Sequence, residues 1–261
     1  MYDGSSLKGK RVVVTGGEQG LGLETLKELA MAGAEAICVG RTSSAELDAA
    51  AAAAAAGPGS IQIITGVDVT KEDTMAKMCA DVATPIDMVI NNAGYFYGPY
   101  EEVGVKGKEG HLNFSQEMLM IDVCAVGPLR ISSALYKAGF LVRDGSPGKV
   151  IIITSQAGSC EWRLTQNPEG GNYGHHMSRA ATNIMGVLLS QELKAEGICV
   201  QLMHPGFNRT TMTEKYRDIW DVEGAVPADE GAKRVLYESI KADISTTGTF
   251  INCEDGLKIP W

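Results

Sequence analysis

The chain is expected to form one α/β domain, residues 1–261, built on a doubly wound parallel sheet of about seven strands with helices on both faces. Three observations predict it. Short β-branched runs alternate with helical stretches from one end to the other. The runs are apolar nearly throughout, the pattern of strands buried on both faces. No linker, composition break or internal repeat divides the chain.

The elements follow in order. Arg11–Val14 is a β-branched strand. Leu21–Ala32 places Leu21, Leu26, Leu29 and Ala30 at helical spacing. Ala36–Val39 is the second strand. The alanine-rich stretch from Ala45 is a strong helix former, stopped by Gly57-Pro58-Gly59. Ile61–Ile64, Met88–Ile90, Val150–Ile153 and Val200–Met203 supply further strands, and Thr249–Ile251 the last.

Composition narrows the function. Hydrophobic residues make up 44% of the chain, enough for a substantial core. A net charge of −9 and the lack of any basic run exclude a nucleic-acid surface, which needs clustered cations. The six cysteines, Cys38, Cys79, Cys124, Cys160, Cys199 and Cys253, stand singly. No metal site is expected, and they read as reduced thiols of a cytoplasmic protein. Met1-Tyr2-Asp3-Gly4 lacks a basic region followed by an apolar one, so no secretory leader is expected. The alanine run Ala49–Ala56 is too short and too weakly apolar to span a bilayer, so no membrane partner is expected.

Thr15-Gly16-Gly17-Glu18-Gln19-Gly20-Leu21-Gly22 follows the first strand and opens the first helix. Glycines let the backbone approach a pyrophosphate, and the helix N-terminus offers free N–H groups and a positive dipole end. In that position the motif predicts a Rossmann-type dinucleotide site. The second strand ends at Val39-Gly40-Arg41-Thr42. An acidic residue there would bind the ribose 2′-hydroxyl of NAD(H). Arg41 instead suits a 2′-phosphate, so NADPH/NADP+ is the expected cofactor. Asp68 and Val69 follow the third strand, and Asn91-Asn92-Ala93-Gly94 the fourth. Both lie at carboxyl ends of strands, where open parallel sheets bind ligands.

These motifs resemble the short-chain dehydrogenase/reductase family. Thr154–Gly158 and Pro205-Gly206 with Thr210 extend the likeness. The ending Gly256–Trp261 is similar to the carbonyl-reductase branch that includes the C-factor and Sniffer proteins. The resemblance covers essentially the whole chain. It implies that Asp68 and Val69 flank adenine, Asn91 meets the ribose, Ala93 and Gly94 line the site, and Pro205, Gly206 and Thr210 hold the nicotinamide. It also implies a homo-oligomer, dimer or tetramer, formed through long helices.

The family's catalytic Asn, Ser, Tyr and Lys are mostly replaced. Ser155 matches the Ser. Asp122–Pro128 resembles the helix that carries the Asn, with Cys124 in its place. His175-His176-Met177-Ser178-Arg179-Ala180-Ala181 resembles Y-x-x-S-K-A-A, which puts His175 at the Tyr and Arg179 at the Lys. Tyr173 is not that Tyr, because Met177 stands four residues on. His175 and Arg179 share a helix face. Arg179 can hold ribose hydroxyls but stays protonated, and it lowers the pKa of His175. Cys124 reads equally as a packing residue, and His176 as a bystander.

Such a site favours a reaction that needs hydride but little acid. Reduction of an imine or iminium ion in a bulky, apolar, zwitterionic substrate meets that condition. The chain resembles the fungal reductase/Diels–Alderase group of indole alkaloid pathways, which implies that the same pocket also guides a cycloaddition. That resemblance alone places Arg130 in the site. Glu161 or Glu169 is expected to offset substrate charge. Trp162, Arg163 and Asn167 in the Cys160–Gly171 segment, and Phe207, Met212, Tyr216 and Trp220 after Pro205-Gly206, are expected to wall the pocket. Two alternatives stay open: a ketone reductase with His175 as proton donor, and an NADP(H)-binding protein without turnover.

Overall fold

The computed structural model describes residues 3–103 and 112–261; Met1 and Tyr2, which open the N-terminal stretch discussed above, lie outside them. Seven strands form the central sheet: β1 (Arg11–Thr15), β2 (Glu35–Val39), β3 (Ser60–Ile64), β4 (Met88–Asn91), β5 (Lys149–Ile153), β6 (Cys199–His204) and β7 (Phe250–Asn252). Their order is β7-β6-β5-β4-β1-β2-β3, and every neighbouring pair is parallel. The expected strands and the expected sheet are therefore present.

Alternate strand residues face opposite layers, and both layers are apolar because helices cover both faces. On one face, Val12 and Val14 of β1, Ala36 and Cys38 of β2 and Ile151 of β5 pack with Leu26 and Leu29 of α1 (Gly20–Met31). Leu47 of α2 (Ala45–Ala54) and Leu236 join them. On the other face, Val13, Ile37, Val89 and Val150 meet Met78 of α3 (Met75–Val82). The hydroxyl of Ser44 caps α2 by accepting from the Leu47 N–H at 3.1 Å, which starts the alanine helix where the sequence placed it.

Helices α4 (Phe114–Ile121) and α5 (Gly127–Lys137) are joined by a π-helical turn, Asp122–Val126. Together they make a 24-residue helix, Phe114–Lys137, long and apolar enough to cross a bilayer by length and composition. Among the described residues this helix, not the alanine run, is the longer apolar candidate. Here the helix does core work: Met120, Cys124, Ile131 and Leu135 are buried. The short helix α6 (Cys160–Gln166) follows, then α7 (Tyr173–Leu193), which crosses the sheet and carries His175 and Arg179. Last comes α8 (Ala228–Lys241), whose Val235 and Leu236 close the first face against α1.

The amino ends of the strands are tied by charge. The Asp87 carboxylate accepts from the Arg11 N–H at 2.8 Å and from Lys10 Nζ at 3.0 Å. Arg11 also pairs with Glu35 at 2.9 Å. Partial burial opposes the Asp87 charge, but these donors outweigh it and hold the carboxyl below its usual range. This cluster lies at the end of the sheet opposite the ligand crevice and serves stability.

Candidate active site

At the carboxyl ends of β1 and β4 the sheet opens into a cavity of about 790 Å³. β1 continues to β2 on one side and has β4 on the other, so the following loops diverge and leave a crevice. Nearly all the sequence-derived cofactor residues line it: Gly16, Glu18, Gln19, Gly20, Leu21, Gly22, Arg41, Asp68, Val69, Ala93, Gly94, Arg179, Pro205, Gly206 and Thr210.

The glycine loop is held by backbone proximity. Gly16 has φ 66°, and a Cβ there would lie 2.8 Å from Ala93 Cα. A Cβ on Gly22 would lie 2.2 Å from the Gly16 carbonyl oxygen. Only glycine leaves this cradle open to a pyrophosphate. Asn92 braces it: its Nδ2 donates to the carbonyls of Thr15 at 3.0 Å and Gly16 at 2.9 Å. The Thr15 hydroxyl accepts from the N–H groups of Asn92 and Ala93, both at 3.0 Å.

The adenosine end has mixed charge. Arg41 is exposed on the rim and makes no ion pair among the described residues. Glu18 Oε2 is buried near Gly40 without a hydrogen-bond partner. Asp68 accepts from the Thr70 N–H at 2.9 Å and the Thr70 hydroxyl at 2.8 Å. Partial burial works against its charge, yet Thr70, Arg41 and Lys71 hold the carboxyl below the usual range. These features fit a dinucleotide: a glycine cradle, free hydrogen-bonding atoms on the rim, and a buried guanidinium at the far end.

That guanidinium is Arg179, 7% exposed. Its Nη1 donates to the Ile153 carbonyl at 3.2 Å, while its Nε has no partner. A Cβ on Gly94 would come within 3.2 Å of Nη2, so a small residue at 94 gives the side chain room. Ser155 and His175 line the same end. Ser155 Oγ accepts from the Ala157 N–H at 3.1 Å, which leaves its hydroxyl proton free for a ligand. His175 packs edge-on to Phe96, ring centroids 4.9 Å apart. Enclosure first, then the charges of Arg179, His176, Lys215 and Arg163, push its imidazolium well below the ordinary histidine range. His175 is therefore neutral at neutral pH.

Three expected site residues lie elsewhere. Cys124 is 1% exposed and does not line the cavity; its Sγ is engaged by the Tyr95 backbone, with N–S and S–O distances of 3.5 and 3.6 Å. It packs and anchors the 95 loop, which decides the reading left open above. Arg130 is also outside: it pairs with Asp122 at 2.6 Å and donates to the Val69 carbonyl at 3.0 Å, so it positions the cavity wall from behind. Asn91 is buried and donates to the Ser132 hydroxyl at 3.2 Å; its neighbour Asn92 does the work at the crevice. Alternation along β4 explains this, since consecutive side chains point to opposite faces.

The walls also differ from expectation. Phe207, Met212 and Tyr216 line the cavity, but Trp220 does not. Trp162, Arg163 and Asn167 stay outside it: Trp162 packs against Leu202, Phe250 and Ile259, and Asn167 Nδ2 donates to the Gly170 carbonyl at 3.0 Å. Glu161 and Glu169 are exposed and do not reach the cavity; the carboxylates on its wall are Glu18, Asp68, Glu223 and Glu254. Tyr173 and His176 do not line the cavity. Phe96 and His204 line the site and were not foreseen. Lys215 covers Phe96, its Nζ 3.8 Å from the ring centroid and 4.7 Å from that of Tyr216, and so ties the 211–219 segment to the 95 loop.

Fold and crevice together define a dinucleotide-binding α/β oxidoreductase framework. The short chain dehydrogenase family model matches residues 10–219, and the chain belongs to that family, whose members use a nicotinamide cofactor. The C-signal protein of Myxococcus xanthus is 29% identical over 188 residues, 72% of this chain and all of that protein. The 1-hydroxy-2-glutathionyl-2-methyl-3-butene dehydrogenase of Rhodococcus sp. (strain AD45) is 28% identical over 253 residues, 96% of this chain and 99% of that one. Carbonyl reductase Sniffer of D. melanogaster superposes with a TM-score of 0.75 at 21% identity, covering 97% of this chain and 100% of its own. The NADPH-bound carbonyl reductase from chicken fatty liver gives 0.76 at 21%, with the same coverage.

The neutral histidines fix a pH response. Burial, then Arg179 and Arg163, depress His204 from 6.5 to about 4. Once unfolded, it takes up a proton below about pH 6.5, which the fold refuses until about pH 4. Stability is therefore full above that window and lost as pH falls through it, by about 3 kcal/mol at most for this group. Thermal unfolding midpoints should fall between about pH 7 and 4.5, and His204→Gln should flatten the dependence. An unchanged slope in that variant would contradict the assignment.

Proposed function

We propose that the chain is an NADP(H)-dependent reductase that delivers hydride to an imine or iminium carbon of a bulky, zwitterionic substrate. One feature carries this reading: at His175, which the resemblance puts at the family's proton-donor position, enclosure and then the charge of Arg179 push the imidazolium well below the ordinary histidine range. A neutral imidazole is a very weak acid, so position 175 is poorly suited to protonating an alkoxide. An iminium carbon accepts hydride and becomes a neutral amine with no proton transfer.

NADPH, when bound, supplies the hydride. Arg41 would pair with a 2′-phosphate, and the unpaired guanidinium supports NADP(H) over NAD(H). The chicken carbonyl reductase solved with NADPH agrees with this preference. Arg179 would hold ribose hydroxyls through the edge that Ile153 leaves free. The Ser155 hydroxyl orients the substrate, and Phe96, Phe207, Met212 and Tyr216 give it an apolar wall that excludes water. The positive surroundings of His175 favour a substrate whose cationic carbon is balanced by an anionic group. Folding such a substrate for an intramolecular Diels–Alder closure to a bicyclic diazaoctane requires shape and orientation rather than acid, and the same wall supports that second step.

A second reading, carbonyl reduction, is favoured by one feature: the charges around His175 are Arg179, Lys215 and Arg163, which stabilise a developing oxyanion. His175→Ala separates the two. The iminium reading expects hydride transfer within about tenfold of wild type and a rate that is flat from about pH 6 to 8. Loss of a hundredfold or more, on the order expected for a removed general acid, would contradict it and support the carbonyl reading.

The chain's partner in this reading is a second copy of itself. Phe114 and Met118 of α4 and Ile184 and Leu188 of α7 are exposed apolar residues on the two long helical segments. Light scattering should give at least a dimer for wild type and a monomer for the double variant Ile184→Glu, Leu188→Glu. A wild-type monomer at micromolar concentration would reject the pairing.

A further inference from the structure

Beside the reactive end two glutamates are buried together. Glu101 is 2% exposed, and Glu117, on α4, is 5% exposed. They close on the start of α7 from two sides. A Cβ on Gly174 would lie 3.1 Å from Glu101 Oε2 and 3.1 Å from Glu117 Cγ. Glu101 Oε2 accepts from the Gly174 N–H at 2.9 Å, and the Glu101 carbonyl accepts from the Asn172 N–H at 2.7 Å. The next residue of α7 is His175, whose ring packs on Phe96. Glu101 therefore joins the loop that bears Phe96 to the helical turn that bears His175.

Two oxygens are left over. Among the described residues, neither Glu101 Oε1 nor Glu117 Oε1 has a hydrogen-bond donor, and both are sealed from solvent. The two side chains are within hydrogen-bonding reach of each other. A carboxylate oxygen buried without a donor is costly, and two neighbouring carboxylates repel. One proton removes both faults, because it turns two orphaned acceptors into a single O–H···O bond. The charged groups that face Glu101 are Glu117 from α4 and Lys215 from the 211–219 segment, while α7 turns the Gly174 N–H to it. Burial pushes the Glu101 carboxyl up, the Gly174 N–H draws it down, and Glu117 pushes it up again. Lys215 offsets only part of this, so the carboxyl rests above the ordinary glutamate range.

We propose that Glu101 and Glu117 share one proton, and that Glu101, joined to its partner in this way, is a positioning residue that holds the first turn of α7, and with it His175, against the 95 loop. The shared proton leaves the pair one net negative charge, which Lys215 faces. When rising pH removes that proton to solvent, the two carboxylates repel and the Gly174 N–H loses a fixed acceptor. The placement of His175 then follows the protonation of a pair that does not itself line the cavity. This goes beyond the proposed function and rests on it only in taking His175 as part of the reactive end.

Infrared difference spectroscopy and NMR of the free protein read this without turnover. At about pH 6 an exposed glutamate is almost wholly ionised. Wild type should show a protonated-carboxyl band there that is missing from both Glu101→Gln and Glu117→Gln, because the proton belongs to the pair. As pH rises the band should fade, and the Gly174 amide and His175 ring signals should move with it. The His175 imidazolium lies well below the ordinary range, so its ring signals report position rather than its own charge. In Glu101→Gln the side-chain carbonyl still accepts from Gly174 and the amide N–H donates to Glu117. Its Gly174 and His175 signals should therefore keep their low-pH positions throughout. Glu101→Leu should displace both signals at every pH; if that variant does not fold, wild type and Glu101→Gln still decide. A wild type without the band, a band lost in only one of the two Gln variants, or signals that titrate alike in wild type and Glu101→Gln would overturn the proposal. Failure of NADPH to bind would reject the reductase reading alone, since none of these readouts needs the nucleotide.

Discussion

The contact between the β1 and β4 loops is the constraint on which the site depends. Those strands are neighbours in the sheet, but the chain leaves them in different directions. The gap that results must be narrow enough for backbone to touch backbone and open enough for a pyrophosphate. Gly16 against Ala93 meets the first condition, and the lack of a side chain at 16 and 22 meets the second. Asn92 and Thr15 lock the two loops by four hydrogen bonds, so the crevice is built before any ligand arrives. α7 then lays Arg179 and His175 across its far end.

From that geometry the electrostatics follow. Arg179 is buried at the far end of the crevice, and a guanidinium stays charged. Desolvation in the cleft first, then its field and that of Arg163, push the imidazolium forms of His175 and His204 below the ordinary histidine range. The reactive end thus offers hydrogen-bond donors and a positive background, but no strong acid. Under the proposed function, this combination suits hydride acceptance at a carbon whose product needs no proton.

Much of this was legible in the sequence, for physical reasons. Strands buried on both faces must be apolar throughout, so Val12–Val14 and Val150–Ile153 announced themselves. The glycine loop was legible because no other residue fits at 16 or 22. Single side chains were less legible. Asn91 and Asn92 are adjacent, and only the pleat decides which one faces the crevice. Cys124 was placed by likeness to the family's Asn; it sits in a π-helical turn and packs against the Tyr95 backbone instead. Arg130 was placed by likeness, and its ion pair with Asp122, eight residues and about two helical turns away, turns it to the Val69 backbone. His204 was overlooked beside Pro205-Gly206 because a histidine ending a strand carries no motif. Its burial was the missing signal.

The most direct test is a titration of the purified protein with NADPH and, in parallel, NADH, followed by cofactor fluorescence, on wild type and on Arg41→Ala. The account predicts tight NADPH binding, NADH weaker by about tenfold or more, and near-equal affinities once Arg41 is gone, because a 2′-phosphate would lose its charged partner. Equal affinities in wild type would show that Glu18 cancels Arg41 and would contradict the NADP(H) assignment. No binding of either nucleotide would contradict the reductase reading of the crevice itself.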